Sequence, residues 1–321
     1  MPAARNASTD SSSMKVTLLA SAEFALPTVR TLVELGHELT VGTQPARPAG
    51  RGRGLRATPV GRFAAELGLG VEELDDVNSP EGLAWMGATA PDLVAVVAFG
   101  QKLGPAVRAV APWGCLNIHP SLLPRWRGAA PVQAAVLAGD TTTGVCVIDV
   151  VERMDAGDVL ASRSTPVGRK TAGELLDELA AAGAVLLGQV LDGLAADEVR
   201  RTAQDESAVT RARKLSADDG RIRWEHSGAE VDCRVRGVTP RPGAFALLGE
   251  ERLRILAGEP LPCPRGFLPG EVIEATDEGI SVACGKDAYR ITKLQRPGGK
   301  PLLADAFLRG HELPAGTRLG P

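Results

Sequence analysis

The chain has 321 residues, 44% of them hydrophobic and 23% charged, with a formal net charge of −3. That balance describes an ordinary soluble globular protein with more chain than one core usually serves, so two domains are expected. No apolar run approaches the roughly 20 residues of a bilayer span, and the net charge argues weakly against a nucleic-acid partner bound through bulk charge alone.

Met1 to Ser13 is small, polar and Ser-rich, without an apolar h-region. It reads as a disordered tail, or as an upstream start preceding Met14, rather than a secretory signal. Lys15–Ala20 predicts a first strand, Phe24–Leu35 a helix ended by Gly36, and Glu38–Thr43 a second strand. Gln44–Gly54 is so rich in Pro and Gly that a loop is expected. Helical pattern returns over Pro59–Leu67, and Asp92–Phe99 is a buried-strand run. Gly114–His119 predicts another strand, followed by a helix over Ala129–Ala138, strands over Thr143–Val151 and Asp158–Pro166, and a long Ala/Leu helix over Thr171–Leu194. Strands and helices alternating in this way predict a doubly wound, mostly parallel, Rossmann-like α/β sheet. Asp197–Gly220 is charged and poorly periodic, as a linker would be. Beyond it come short strand-like runs, Gly243–Leu248, Leu253–Leu256, Glu271–Ala275, Ile280–Ala283 and Ala288–Leu294, which predict a small, OB-like β-barrel. The expected domains are therefore residues 14–196, a linker over 197–220, and residues 221–321.

The cysteines Cys115, Cys146, Cys233, Cys263 and Cys284 are odd in number and scattered without a Cys-x-x-Cys pair. Neither a disulfide framework nor a zinc site is indicated, and a reducing cytoplasm is the expected home. Nor does any His/Cys/carboxylate cluster show metal-ligand spacing, so no metal is expected. Aromatic residues make up only 3% of the chain, so any RNA contact must rest on phosphate charge rather than stacking. Such charge is concentrated between Gln44 and Phe63, where Arg47, Arg51, Arg53, Arg56 and Arg62 occur with no acid.

The chemistry-bearing segment is Asn117-Ile-His119-Pro-Ser121-Leu122-Leu123-Pro124-Arg-Trp-Arg-Gly128, followed later by Met154-Asp155-Ala-Gly-Asp158. Alternation along a strand puts Asn117 and His119 on one face. An amide donor beside an acid/base group, with a carboxylate returning, suits acyl transfer through a tetrahedral intermediate. Taken singly, Asn117 is a turn former, His119 a structural histidine, and Asp155 or Asp158 ordinary turn chemistry. Together they describe a reaction centre.

The run from Asn117 to Pro131 resembles the signature of the folate-dependent formyltransferases, and the likeness extends over nearly the whole chain from Met14. It implies a catalytic trio of Asn117, His119 and Asp155, with Asp155 rather than Asp158 as the carboxylate. His119 is then expected to act protonated, its pKa raised by Asp155. The resemblance also implies 10-formyltetrahydrofolate as cosubstrate, with Ser121, Leu122, Leu123 and Pro124 along the donor and Val97, Phe99 and Gly100 on its other side. Phe99 stands where a Tyr is common, and Ala20–Phe24 replaces the usual Gly-Thr-Pro-Asp-Phe. Three segments resemble the members that act on initiator methionyl-tRNA: the arginine loop, Arg211–Trp224, and the stretches Gln295–Lys300 and Phe307–Gly310. Arg47, Arg51 and Arg53 are the tRNA contacts this implies, on a monomer with no membrane partner; in the second domain Arg234, Arg236 and Arg241 are further candidates. The alternatives are an amino-sugar N-formyltransferase using the same donor, and a folate- or RNA-binding protein without catalysis.

Overall fold

The computed structural model describes residues 13–49, 54–262 and 266–320. The tail before Ser13, Arg51, Arg53 and Cys263 lie outside the described residues. The chain divides into two compact units, one of Met1–Arg127, Gly144–Ser164 and Asp177–Thr210, the other of Gly128–Thr143, Thr165–Leu176 and Arg211–Pro321.

The first unit is built on a seven-stranded sheet. In chain order it brings β1 (Lys15–Ala20), α1 (Leu26–Glu34), β2 (Glu38–Thr43), β3 (Arg47–Ala49), β4 (Gly54–Arg56), α2 (Pro59–Glu66), β5 (Gly70–Glu73), α3 (Pro80–Thr89), β6 (Leu93–Val97), α4 (Pro105–Arg108) and β7 (Cys115–His119). Next along the chain are β8 (Arg127–Gly128), α5 (Pro131–Leu137), which belongs to the second unit, β9 (Thr142–Asp149), β10 (Val159–Pro166) and α6 (Ala172–Ala195). The sheet order is β10-β9-β7-β6-β1-β2-β5. From β5 to β7 all pairings are parallel, and β9 turns antiparallel to β7. β1 and β6 are buried almost throughout, as strands covered on both faces must be. α2 and α3 start where Thr58 and Ser79 accept from the backbone N–H of Gly61 and Gly82, each with Pro at the first helical position.

In parallel sheets of this kind ligands bind beyond the carboxyl ends of the strands. β6 ends there in the turn Ala98–Gly100 and β7 ends in His119. Leu19, Val94, Val96, Phe99, Leu103, Val107 and Cys115 form a core on one face of the sheet with Met86 of α3. α6 covers the opposite face. A Cβ at Gly183 would fall 2.6 Å from Ile118 Cγ2 and 3.1 Å from Val145 Cγ2, so helix and sheet touch closely there. By length and composition alone α6 could cross a membrane, against the expectation of no such run. Its Leu175, Leu179, Leu187 and Leu191 are buried instead.

One expected loop is partly ordered as sheet. Within Gln44–Gly54, β3 pairs antiparallel with β4, setting Arg47 opposite Arg56 and Ala49 opposite Gly54. A two-stranded ribbon has two edges, and Pro48 can sit on one because its missing N–H is not needed there.

The second unit adds β11 (Arg211–Ala212), α7 (Gly228–Gly237), β12 (Ala244–Leu248), β13 (Glu251–Leu261), β14 (Val272–Thr276), β15 (Gly279–Ala283), β16 (Ala288–Gln295), β17 (Leu302–Leu303), α8 (Ala304–Leu308) and β18 (Leu319–Gly320). Its sheet runs β14-β15-β16-β13-β12-β18 with β17 on β16. It curls until Glu271 bridges Arg318, bringing the two edges together around Trp224, Tyr289, Phe307 and Ile255. The five predicted strands are β12 to β16. α7 was not among the predicted elements. It is capped by Ser227 and Glu230, which exchange bonds with each other's backbone, the capping-box arrangement.

Candidate active site

β7 carries the trio's first two members. Its pattern Cys-Leu-Asn-Ile-His is buried except at half-buried Asn117. Asn117 stands in register with Val96, while Ile118 faces α6. Alternation therefore turns Asn117 and His119 together to the face opposite α6. His119 is 4% exposed.

The hydrogen bonds of His119 fix its chemistry. Nε2 lies 3.0 Å from the carbonyl oxygen of Trp126, which can only accept, so Nε2 carries a hydrogen and donates it. Nδ1 is then the atom that takes up or gives off a proton, and it lies 3.6 Å from Asp155 Oδ1. Burial pulls the His119 pKa below its ordinary 6.5, while Asp155 and the Trp126 carbonyl pull it back up. The expectation of a raised pKa named the pull of Asp155 correctly, but desolvation is larger. Burial thus favours the neutral imidazole in the folded protein.

Asp155 reaches His119 from the turn after β9. Its backbone has φ 54°, a left-handed conformation that costs a non-glycine residue on the order of 1 kcal/mol. Gly157 has no room for a side chain, since a Cβ there would lie 1.8 Å from the Asp149 carbonyl oxygen. Asp158 contributes its carbonyl, accepting from Asp149 N–H at 3.0 Å. Asp155 is the carboxylate beside His119.

Two further residues hold this turn and were not among the predicted site. The Gln204 carboxamide donates from Nε2 to the carbonyls of Asp155 at 2.8 Å and Gly157 at 2.7 Å. Its Oε1 accepts from Arg127 Nε and Nη2 at 3.0 and 2.8 Å, and Arg127 is 4% exposed. Arg127 also bonds Glu206, which pairs with Arg153 in turn. Thr210 secures the segment before Arg127, accepting at its hydroxyl from Trp126 N–H and donating its own N–H to the Pro124 carbonyl. Residues 204–210 fall within the stretch expected as linker.

The residues expected along a donor are only partly gathered. Leu122, Leu123 and Pro124 are half-buried just beyond His119, and Leu122 packs where a Cβ on Gly144 would come within 2.5 Å of its Cδ2. The Ser121 hydroxyl is spent inside the loop, donating to the Arg125 carbonyl at 2.6 Å. Val97 alternates away from Val96 and Asn117 and is buried on the other face. Phe99 is 2% exposed within the core, while its carbonyl accepts from Gln44 Nε2 at 2.7 Å. Gly100 has φ 85° with the Gln44 amide against it. A cleft of about 460 Å³ opens nearby, lined by Lys102, Leu103, Gly104, Pro105 and Glu152 among others. Arg47 is exposed on the ribbon. Arg234 and Arg236 are engaged, donating to the Asp219 carbonyl and to Asp232, whereas Arg241 is exposed. Among the described residues no group of His, Cys, Asp and Glu could hold a metal ion.

An imidazole beside a carboxylate, with a carboxamide two residues away along the strand, describes a centre for acyl transfer. The chain belongs to the formyl transferase family: its models match residues 16–191, as formyl transferase, and residues 214–312, as the formyl transferase C-terminal domain. It is 43% identical to the methionyl-tRNA formyltransferase of Methylococcus capsulatus, over 96% of this chain and 100% of that one. It is also 43% identical to the methionyl-tRNA formyltransferase of Rhizorhabdus wittichii, over 95% and 98%. HypX from Aquifex aeolicus, solved with tetrahydrofolic acid, shares the fold at TM-score 0.63 and 21% identity, across 92% of this chain and 47% of HypX. An N-formyltransferase from Helicobacter canadensis, solved with folinic acid and dTDP-3-aminofucose, shares it at TM-score 0.64 and 11% identity, across 87% and 99%.

Proposed function

We propose that this protein transfers the formyl group of 10-formyltetrahydrofolate to the free amino group of methionyl-initiator tRNA. The observation that carries the reading is His119, oriented by the Trp126 carbonyl, with Nδ1 turned to Asp155 beside the half-buried Asn117. Likeness over the full chain to methionyl-tRNA formyltransferases selects the acceptor. The folate supplies an activated formyl carbonyl. Half-buried Leu122, Leu123 and Pro124 offer an apolar wall for it, and Gly100 lets the backbone come close where a side chain would intrude. Val97 and Phe99 have buried side chains, so their part is limited to the backbone of that turn.

The chain's own residues then divide the work. Asn117 donates its amide N–H to the developing oxyanion. His119 Nδ1 takes the proton that the amine loses as its nitrogen bonds the formyl carbon. The imidazolium so formed is stabilised by Asp155 and returns the proton to the departing folate nitrogen as the old C–N bond breaks. On the ribbon, Arg47 and Arg56 face each other with no acidic partner among the described residues. Like charges directly opposite are unfavourable by themselves, and a phosphate backbone would relieve them. Arg51 and Arg53 are assigned the same role. In this reading residues 14–196 carry the transfer with support from residues 204–210, and residues 221–321 also contact the tRNA, in a cytoplasmic monomer.

The test offers two acceptors, charged initiator tRNA and a nucleotide-linked amino sugar, to the purified protein with the formyl donor at rising salt. Formylation of the tRNA alone, slowing as salt rises, supports the reading. Salt-insensitive formylation of the sugar would replace it.

A further inference from the structure

We propose that Gln204 is a positioning residue of the transfer site, holding the turn that presents Asp155 to His119. The inference rests on the function proposed above.

The orientation of the Gln204 amide is not open to choice. Arg127 can only donate. Two of its N–H groups converge on one atom of the Gln204 carboxamide, at 3.0 and 2.8 Å, so that atom is the oxygen. The nitrogen therefore points the other way, where two carbonyl oxygens, of Asp155 and Gly157, each take one of its hydrogens at 2.8 and 2.7 Å. Both hydrogens and the oxygen of this amide are used. The carbonyls lie on either side of Ala156, so one donor draws the two ends of the turn together. At that point Asp155 is at φ 54° and Gly157 is against the Asp149 carbonyl. A left-handed aspartate persists only where its surroundings over-determine it, and Gln204 is the side chain that supplies the bonds.

The same assembly reaches the other half of the site. Arg127 directly follows Trp126, whose carbonyl receives the His119 Nε2 hydrogen. Thr210, six residues after Gln204, accepts from the Trp126 N–H and from its own backbone bonds Pro124 and Arg127. One segment, residues 204–210, thus steadies the carbonyl that sets the tautomer of His119 and the carboxylate that faces its Nδ1. Asp155 is the ionisable group against His119; Arg127, Glu206 and Arg153 are the charged groups of the supporting network.

The discriminating variant is Gln204→Glu. It keeps the size of the side chain and an oxygen for Arg127, but turns an acceptor toward the two carbonyls, so the turn loses both bonds while the buried guanidinium keeps a partner. Gln204→Met, which removes both sets of bonds, is the second variant. Displacing a reacting group by about 1 Å can cost on the order of a hundredfold in rate, and a fall in kcat of about that size is expected with KM for the tRNA unchanged. In Gln204→Met, which adds no charge, the His119 titration, followed by NMR on labelled protein without substrates, should move down, the direction also expected when Asp155 itself is neutralised. Folded Gln204→Glu and Gln204→Met proteins with wild-type kcat and an unmoved His119 titration would overturn the proposal. So would loss of thermal stability with kcat per folded molecule preserved, which marks a purely structural part. Should the wild-type protein fail to formylate tRNA at all, the NMR titration still decides the role of Gln204 separately.

Discussion

His119 has one ring nitrogen committed to the Trp126 carbonyl and the other turned to Asp155, which leaves Nδ1 to do any proton transfer. Removing the ring in His119→Ala should leave the fold intact and lower turnover by about 10²–10⁴-fold, the usual worth of a positioned acid/base group. Near-normal turnover in the folded variant would take His119 out of the mechanism. Asp155→Asn removes the charge that favours the imidazolium, so the His119 pKa, already depressed by burial, should fall further. NMR titration reads that sign directly, and an upward or absent shift would refute the pairing. Stability follows from the same depression. The folded protein resists protonating His119 while the unfolded chain accepts the proton near the ordinary 6.5. The contribution of this group is therefore complete above that pH and lost as pH falls from it through the lower folded value. Denaturant titrations of wild type and a folded His119→Gln variant should show a constant difference above that window and a relative loss by the wild type as pH falls through it.

At the scale of elements, the Arg47–Ala49 and Gly54–Arg56 ribbon carries the contrast between acceptors. Arg47→Ala should raise the apparent KM for tRNA and spare binding of a folate analogue. The slope of log affinity against log salt should flatten by about 0.7–0.9 for each phosphate that the variant no longer neutralises. Weakened folate binding with unchanged tRNA affinity would shift the ribbon's role to the donor side. The ribbon also marks where sequence reasoning stops. Pro and Gly at Pro48, Gly50 and Gly54 read as loop because turn composition is local, while the pairing of Arg47 with Arg56 is decided across the ribbon. By contrast β6, Leu-Val-Ala-Val-Val, is legible because an uninterrupted apolar run has few other homes than a covered parallel strand. Of the four helices that escaped, α3, α4, α7 and α8, the two longer ones did so for different reasons. α3 contains Gly82 and Gly87, which dilute its pattern, although Ser79-Pro80 announces its start. α7 is polar, with Asp232 and Arg236 paired one turn apart, and only the capping pair Ser227 and Glu230 signals it.

The whole molecule shows the same division between local and distant signals. Period-two alternation put Asn117 and His119 on one face, and the chain's likeness to known formyltransferases picked out Asp155. The direction of the His119 pKa was not legible, since burial belongs to the assembled sheet. Gln204 was out of reach as well: its partners Asp155, Gly157 and Arg127 lie 49, 47 and 77 residues away, and nothing near it in sequence hints at them. In the proposed reaction this assembly moves a formyl group to an aminoacyl-tRNA. The most direct measurement incubates the purified protein with 10-formyltetrahydrofolate and methionyl-initiator tRNA, then hydrolyses the ester and identifies the released amino acid. Formylmethionine formed in catalytic excess over protein is the predicted result; unmodified methionine, from protein that is folded and binds a folate analogue, would contradict it.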